Sequence, residues 1–156
     1  MRGIPLPRVG TIILTRGMIG TLASAPEQCP MFQISHFKTP CPEHLSSQIL
    51  QMVVDNLTDI SMVGIPPSNL LYNVYQYAIG YEVHLYLEAL NGAKGIAVEL
   101  LVATEVDDPD TLAGFLLYLP TEDDPDACTV AYMAVQANHR RQGVARKLLR
   151  EMVARY

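Results

Sequence analysis

The spacing of apolar residues predicts two helices in the first half of the chain. Between Pro42 and Asn56, four apolar residues lie at helical spacing, and Pro42 suits a first turn. They are Leu45, Ile49, Met52 and Val53. A loop at 58–67 follows, and Ser68 is a candidate N-cap of the second helix. The apolar face predicted for that helix consists of Leu70, Val74, Tyr77, Ala78 and Tyr81.

Residues 81–89 show a different pattern, because apolar and polar side chains alternate along them. The apolar set is Tyr81, Val83, Leu85, Leu87 and Ala89. A period of two favours a strand, and the Asn91-Gly92 pair that follows is typical of a hairpin turn. The alternative is a second helix that continues to Leu90.

Strand-like segments dominate the middle and the second half of the chain. Met31–Lys38 alternates weakly and is predicted to be a strand. Three further apolar runs occupy Ile96–Val106, Leu112–Leu119 and Cys128–Val135. Turns rich in Asp and Pro at 107–110 and 121–126 separate these runs, which predicts an antiparallel meander. An amphipathic helix at Gln142–Tyr156 completes the pattern.

Composition bounds the class of protein. The chain has 156 residues, 49% of them hydrophobic and 17% charged, which suits one folded domain. It contains no run of about 18 uncharged apolar residues, so no membrane partner is expected. The net charge of −5 argues against a general nucleic-acid binder, because holding phosphates needs positive charge. Three cysteines are too few for a disulfide framework and suit a cytoplasmic protein.

An N-terminal arm at 1–30 is predicted to precede a domain at 31–156. The arm holds four prolines and one β-like run, Val9–Thr15. Its apolar stretch ends in Ala23-Ser-Ala25, a site of the kind that closes a secretory signal, but Arg16 interrupts the stretch. We therefore favour a loose or strand-forming arm over a signal peptide.

The charges are distributed unevenly. Eight of the 16 acidic residues fall between Glu105 and Asp126, and six of the 11 basic residues fall between Arg140 and Arg155. An acidic protein can still carry a local anion site, and the basic C-terminal end is where the sequence predicts one.

The segment that carries chemistry runs from Met133 to Ala145. A predicted strand ends at Val135, a short basic loop follows, and a helix opens near Gly143. The first backbone N–H groups of a helix lack internal partners, and the helix dipole adds positive charge there. Gly143 allows a ligand to approach the backbone closely. This arrangement predicts a cradle for an anion such as a diphosphate.

The residues Arg140-x-x-Gly143-x-Ala145 resemble the Q/R-x-x-G-x-G/A signature of the GNAT superfamily of N-acetyltransferases. The resemblance covers about 27 residues, Thr129–Arg155, including the strand before the signature and the helix after it. It implies an α/β, GNAT-like fold: a mixed, largely antiparallel sheet flanked by helices, here without the family's usual C-terminal strands.

The resemblance also implies a function and a set of binding residues. The function is transfer of an acetyl group from acetyl-CoA to an amine of a small molecule, peptide or protein. Carried over by position, the strand residues face the pantetheine and thioester, and the loop and helix start hold the diphosphate. These residues are Met133, Ala134 and Val135, followed by Arg140, Arg141, Gln142, Gly143, Val144 and Ala145.

The chain departs from the family's pattern after its final helix. The family continues with further strands and with a helix whose tyrosine often protonates the leaving thiolate, so no residue here receives that role by position. The Cys128–Val135 strand would also keep an open edge. A homodimer or partner chain, a longer natural chain, or the arm strand Val9–Thr15 would cover it. These departures favour the rival interpretation, a non-catalytic GNAT-like binding or assembly module.

Candidate bases for the amine are few. Glu99 lies mid-strand in an apolar run, and if it points inward, burial is expected to raise its pKa and make it a base. Four acids near the 107–110 turn lie at the end of the sheet that carries His139–Gly143. They are Glu105, Asp107, Asp108 and Asp110, more simply explained as solvated turn residues than as an acceptor rim. Tyr118 and Tyr132 are interpreted as core residues.

A metal site is not expected. Cys29, His36, Cys41 and His44 are residue types that bind metals, but their spacing matches no compact zinc site, and prolines intervene.

Overall fold

The computed structural model describes residues 12–14, 31–38, 40–56, 68–90, 92 and 96–155. In chain order these form β1 (Ile12–Leu14), β2 (Phe32–Phe37), α1 (Glu43–Asp55), α2 (Leu70–Leu90), β3 (Glu99–Glu105), β4 (Asp108–Pro120), β5 (Cys128–Val135) and α3 (Val144–Val153). A short 3₁₀ turn, Ala137–His139, connects β5 to the start of α3. The predicted loop at 58–67 lies outside the described residues.

The strands form one antiparallel sheet in the order β1-β5-β4-β3-β2. The predicted meander is confirmed in β3, β4 and β5, and the predicted strand at 31–38 pairs with β3 along its whole length. The fold is therefore α/β with an antiparallel sheet and flanking helices, as the sequence predicts.

Helices cover both faces of this sheet, because successive strand residues point to opposite sides. On one face, α1 and α2 pack on a set that includes Leu100, Val102 and Leu117. On the other face, α3 packs on a set that includes Leu101 and Leu116. The nearly unbroken apolar sequence of β3 and β4 reflects this double burial.

The second helix corrects three predictions. Residues 81–89 are helical rather than a strand, so the alternative of a helix running to Leu90 is the right one. Its buried side chains recur every three or four residues: Ile79, Val83, Leu87 and Leu90. The face predicted to be buried is the exposed one, since Leu70 is 89% exposed and Tyr77 75%. Asn69 rather than Ser68 caps this helix, because its Oδ1 accepts from the Leu71 N–H at 2.9 Å.

The turn between β3 and β4 is tighter than predicted. It occupies only Val106 and Asp107, and Asp108 already pairs with Glu105. The register then moves from Asp108 to Leu112 over one residue of β3, and Pro109 lies in this irregular stretch. Pro109 is tolerated there because β5 pairs with β4 only from Gly114 to Pro120.

The arm contributes the edge strand β1. Ile12 lies opposite Val130 and Leu14 opposite Cys128, so the hypothesis that the arm strand folds across β5 is confirmed for these residues. The rest of the arm lies outside the described residues. The sheet does not test the predicted boundary between residues 30 and 31. The division of the chain at that point stays a prediction.

Candidate functional site

The start of α3 is open to a ligand. Gly143 is the N-cap residue with φ 81°, and no side chain caps the helix. Two residues earlier, Arg141 has φ 63°, a left-handed conformation that non-glycine residues seldom adopt. Alternating backbone conformations of this kind turn successive N–H groups toward one concave surface, which suits an anion. The start of α3 is therefore free of a capping side chain, as an anion cradle requires, and binding of an anion there stays a prediction.

A cavity of about 380 Å³ lies against this helix start. None of the described residues that line it is acidic. Its lining consists of Val135, His139, Arg140, Arg141, Gly143, Val144, Ala145 and Arg146. Three guanidinium groups and the positive end of the helix dipole give the cavity a cationic character. The charge and the geometry of the cavity both favour a phosphorylated ligand.

Arg140 anchors the loop that forms the cavity. Its Nε donates to the Val135 carbonyl at 3.3 Å, and its Nη2 donates to the Asn56 side chain at the end of α1. Gln142 is also engaged locally, since its Nε2 donates to the Asn138 carbonyl at 3.3 Å. Of the predicted cationic pair, Arg140 thus holds the loop in shape, while Arg141 is exposed beside the cavity.

His139 lines the cavity and was not predicted as a site residue. Its Nε2 lies 2.7 Å from Glu105 Oε1, and its ring meets Phe32 edge-on with centroids 5.7 Å apart. The contact confirms that the β3–β4 turn and the cradle lie at the same end of the sheet. Glu105 is therefore engaged by the cradle loop, whereas Asp107 in the turn and Asp108 at the start of β4 are exposed.

Gly114 brings the helix start against the sheet, and sequence analysis also missed it. A Cβ at this position would lie 2.9 Å from the Ala134 carbonyl oxygen and 3.0 Å from Val144 Cγ1. Only a glycine leaves room for both neighbours. An isolated glycine inside a strand is the available sequence signal for such a close approach.

The edge of β5 is divided into two parts. Residues 128–130 pair with β1, and then Ala131 is an extra residue, since Val130 faces Tyr118 and Tyr132 faces Leu117 in the register with β4. A bulge of this kind bends the strand and ends regular pairing. Within the part of the chain that the structure describes, residues 131–135 have no strand on their outer side.

The amide directions on this open stretch follow from one hydrogen bond. The Gln136 N–H donates to the Ala113 carbonyl at 2.8 Å, so it points toward β4. Because amide directions alternate along a strand, the N–H groups of Met133 and Val135 point to the open side. Ala134 has the opposite amide direction, and its side chain is buried under α1 and α2. Met133 and Val135, two of the three predicted strand residues, therefore direct their N–H groups to the open side of β5.

Glu99 points inward, but its pKa moves opposite to the prediction. Burial alone raises the pKa of the Glu99 carboxyl, yet hydrogen bonds from Tyr118, His36 and Lys38 outweigh burial and hold the pKa below its usual value. His36 Nε2 lies 2.9 Å and Lys38 Nζ 3.2 Å from the carboxylate. The expectation of a raised pKa for Glu99 is wrong, because Tyr118, His36 and Lys38 together outweigh the effect of burial. A catalytic role for Glu99 stays a prediction.

The remaining candidates have other surroundings. Tyr118 is fully buried and donates to Glu99. His44 lies 3.4 Å from Asp110, so this histidine and His36 each face a carboxylate. Among the described residues, no three His, Cys, Asp or Glu side chains are grouped as metal ligands, and Cys29 lies outside them. Tyr132 is buried and donates to Glu82, a carboxylate that the sequence analysis did not single out.

The fold and the site define a class of protein: an α/β fold with an antiparallel sheet, in which a strand with an open stretch at its edge leads into an uncapped helix start. The model of the acetyltransferase (GNAT) family matches residues 69–156, more than half of the chain. The chain belongs to the GNAT acetyltransferase family. No curated protein and no solved structure matches it. No described helix combines the length and the apolar character needed to cross a bilayer.

Proposed function

We propose that the protein is an N-acetyltransferase that moves an acetyl group from acetyl-CoA to an amine. Family membership supports acyl transfer as the reaction class. The observation that carries the finer proposal is the uncapped start of α3 at Gly143, which opens into a cavity whose described lining includes three arginines and no acidic residue. The loop that lines the cavity directly follows the open stretch of β5 in the sequence. Together they match a ligand with a diphosphate at one end and an extended amide-bearing arm at the other.

The residues present fit such a ligand. The N–H groups of Val144, Ala145 and Arg146 occupy the first turn of α3, where backbone donors have no helical partner, and they suit the diphosphate. Arg141 supplies a full charge beside them. The outward N–H groups of Met133 and Val135 suit the carbonyls of the pantetheine and of the thioester. An N–H donor at the thioester carbonyl stabilises the oxyanion that forms when an amine attacks.

The first test is binding and turnover with the full chain. Acetyl-CoA at about 100 times its Kd is expected to raise Tm by roughly 5–10 °C. Release of free CoA thiol is then measured with a panel of primary amines. Stabilisation without turnover on any amine would favour the non-catalytic binding module, and absence of both effects would overturn the acetyl-CoA proposal.

A substitution at the cradle tests the placement of the diphosphate. Gly143→Glu adds bulk and negative charge where the anion is placed, and is expected to abolish acetyl-CoA binding, with a loss of more than 100-fold in affinity. Because Gly143 has φ 81°, any side chain there also costs about 1–2 kcal/mol of folding stability. Isothermal titration calorimetry and circular dichroism separate the two effects.

The matched control is Gly143→Gln, which has the same size and the same backbone strain without the charge. The glutamine variant should bind more tightly than the glutamate variant. Equal, undiminished affinity of both variants would show that the diphosphate lies elsewhere.

A further inference from the structure

A carboxylate held by two tyrosines lies beside the open part of β5. Tyr132 on β5 donates to Glu82 Oε2 at 2.9 Å, and Tyr86 on α2 donates to Glu82 Oε1 at 3.0 Å. The two rings lie 6.3 Å apart between centroids. Each oxygen of the carboxylate therefore has one phenol donor, and each keeps a further acceptor position. We call Glu82, Tyr86 and Tyr132 the Glu82 cluster.

The Glu82 cluster has both a buried and an exposed side. Tyr132 is 4% exposed and belongs to the core beneath α2, while Glu82 itself is only partly buried. Burial, followed by the charge of Glu82, raises the pKa of Tyr132, so this phenol stays protonated and keeps donating at physiological pH. The cluster thus fixes an ionisable carboxylate at a position that solvent and a substrate can reach.

The location of the Glu82 cluster connects it to the proposed acyl site. Tyr132 immediately precedes Met133, whose amide points to the open side of β5, and follows the bulge at Ala131. One tyrosine side chain and one hydrogen bond separate the Glu82 carboxylate from the strand backbone at this point. An amine approaching a thioester carbonyl held at Met133 from the α2 face would meet Glu82.

Glu99 has a less suitable location. It lies on β3, two strands away from β5, and its row of the sheet continues through Tyr118 to Val130, the residue that β1 covers. Its carboxylate also accepts from Tyr118, His36 and Lys38, which leaves little capacity for a substrate. Of the two semi-buried glutamates that tyrosines hold, Glu82 is therefore the one beside the open edge.

We propose that Glu82 accepts the proton of the acceptor ammonium, and that Tyr86 and Tyr132 act as positioning residues that hold its carboxylate. This inference rests on the proposed function. Proton transfer to Glu82 leaves a neutral amine, whose nitrogen forms a bond to the acetyl carbon while the carbon–sulfur bond breaks. The leaving thiolate takes the second proton that the nitrogen gives up, and Glu82 returns its proton to water. The products are the amide, the CoA thiol and one proton in solution.

The test is the pH profile of Glu82→Gln measured with the full chain and the best amine of the panel. A missing base costs on the order of 10²–10⁴-fold in kcat, and the acidic limb of the profile should disappear with it. Affinity for acetyl-CoA, measured by calorimetry, should stay within about twofold, because Glu82 lies away from the cradle. Glu88→Gln is the matched control, since Glu88 is an exposed carboxylate on the same helix.

Tyr132→Phe tests the positioning role. Loss of one of the two donors is expected to lower kcat about tenfold, the effect of one hydrogen bond to a charged group. KM for the amine should stay within about twofold, because the hydroxyl acts through Glu82 rather than on the substrate. A purely structural tyrosine would lower Tm and leave kcat unchanged.

The outcomes distinguish this inference from the function on which it rests. If the wild-type protein neither binds acetyl-CoA nor releases CoA with any amine, the proposed function fails and Glu82 has no reaction to serve. If the wild-type protein turns over and Glu82→Gln keeps its rate and its acidic limb, the Glu82 assignment alone is overturned. Loss of the acidic limb in Glu99→Gln with retention in Glu82→Gln would transfer the role to Glu99.

Discussion

At the scale of single residues, Glu99 shows how partners decide the behaviour of a buried carboxylate. Its pKa is lowered from the usual 4.5 because burial, which raises it, is outweighed by donors on β2 and β4. A carboxyl with a lowered pKa stabilises the fold above the pKa that it has in the unfolded chain. That contribution is lost as pH falls through the lower pKa of the folded state.

The corresponding prediction concerns the acid stability of Glu99→Gln. Near pH 7 this variant should be less stable than the wild type, since the ion pair with Lys38 and the charged hydrogen bonds are gone. The difference in Tm between the two proteins should shrink as pH falls below about 4.5. Thermal melts from pH 3 to 7 check it, with Glu122→Gln in the exposed β4–β5 loop as control. A difference that is independent of pH would show that Glu99 acts through packing alone.

Residue patterns also explain why part of the site was predictable. Gly143, Arg141 and Ala145 belong to one contiguous segment, so local sequence is enough to predict the uncapped helix start and the loop that lines the cavity beside it. His139, Glu105 and Glu82 depend on contacts between residues 34 and 50 positions apart, and no local spacing signals such a pair. These contacts depend on how the strands and α2 pack against one another, which the sequence pattern does not specify.

At the scale of elements, the second helix shows the limit of pattern reasoning. Its sequence from Leu70 to Tyr81 has no charged residue, so a buried face cannot be told from an exposed one by polarity. Alternation at 81–89 arises because Val83 and Leu87, four residues apart, are buried, while Tyr81 and Leu85 on the opposite side are apolar as well. The strands were easier to predict, since Asp- and Pro-rich turns bound them and both of their faces are buried.

The packing of α3 against β4 gives a prediction at this scale. Gly114→Ala would place a methyl group 2.9 Å from the Ala134 oxygen and 3.0 Å from Val144, so either β5 or the start of α3 must shift. We expect a loss of about 1–3 kcal/mol in unfolding free energy, the usual cost of overpacking. Affinity for acetyl-CoA should fall too, because the displaced elements form the cradle. Urea unfolding and calorimetry measure the two effects.

Gly80→Ala provides the matched control. A Cβ there would meet no atom within 4 Å, and the residue lies inside α2, where alanine is preferred over glycine by about 0.5–1 kcal/mol. This variant should be as stable as the wild type or more so, with unchanged affinity. Equal effects of the two substitutions would refute the close approach at Gly114.

At the scale of the whole molecule, β1 pairs with the strand that leads into the cradle. More than 110 residues separate β1 from the cradle in sequence. The described residues of β1 pair with the first three residues of β5, ahead of the bulge at Ala131. The β-forming residues of Val9–Thr15 predict this strand, which is one of the three candidates named for the edge. No local pattern predicts which residues of β5 the strand pairs with.

Breaking β1 tests its contribution. The double substitution Ile12→Pro with Ile13→Pro removes two adjacent N–H groups, one of which points toward β5 whatever the parity of the pairing. We expect a lower Tm, corresponding to about 1 kcal/mol for each lost hydrogen bond. Self-association should increase in sedimentation velocity at high concentration. Wild-type behaviour in both measurements would show that the strand adds nothing to the edge.

The outward N–H groups of Met133 and Val135, which no described strand pairs, have a consequence for handling the protein as well as for its chemistry. Without a ligand along them they remain available to any extended backbone in a concentrated solution, including that of a neighbouring molecule. A nucleotide thioester seated there would shield those amides in the same way as another strand. The colloidal behaviour of the protein should accordingly depend on whether its co-substrate is in the buffer, and purification in the presence of CoA is expected to extend the concentration range in which it remains monodisperse.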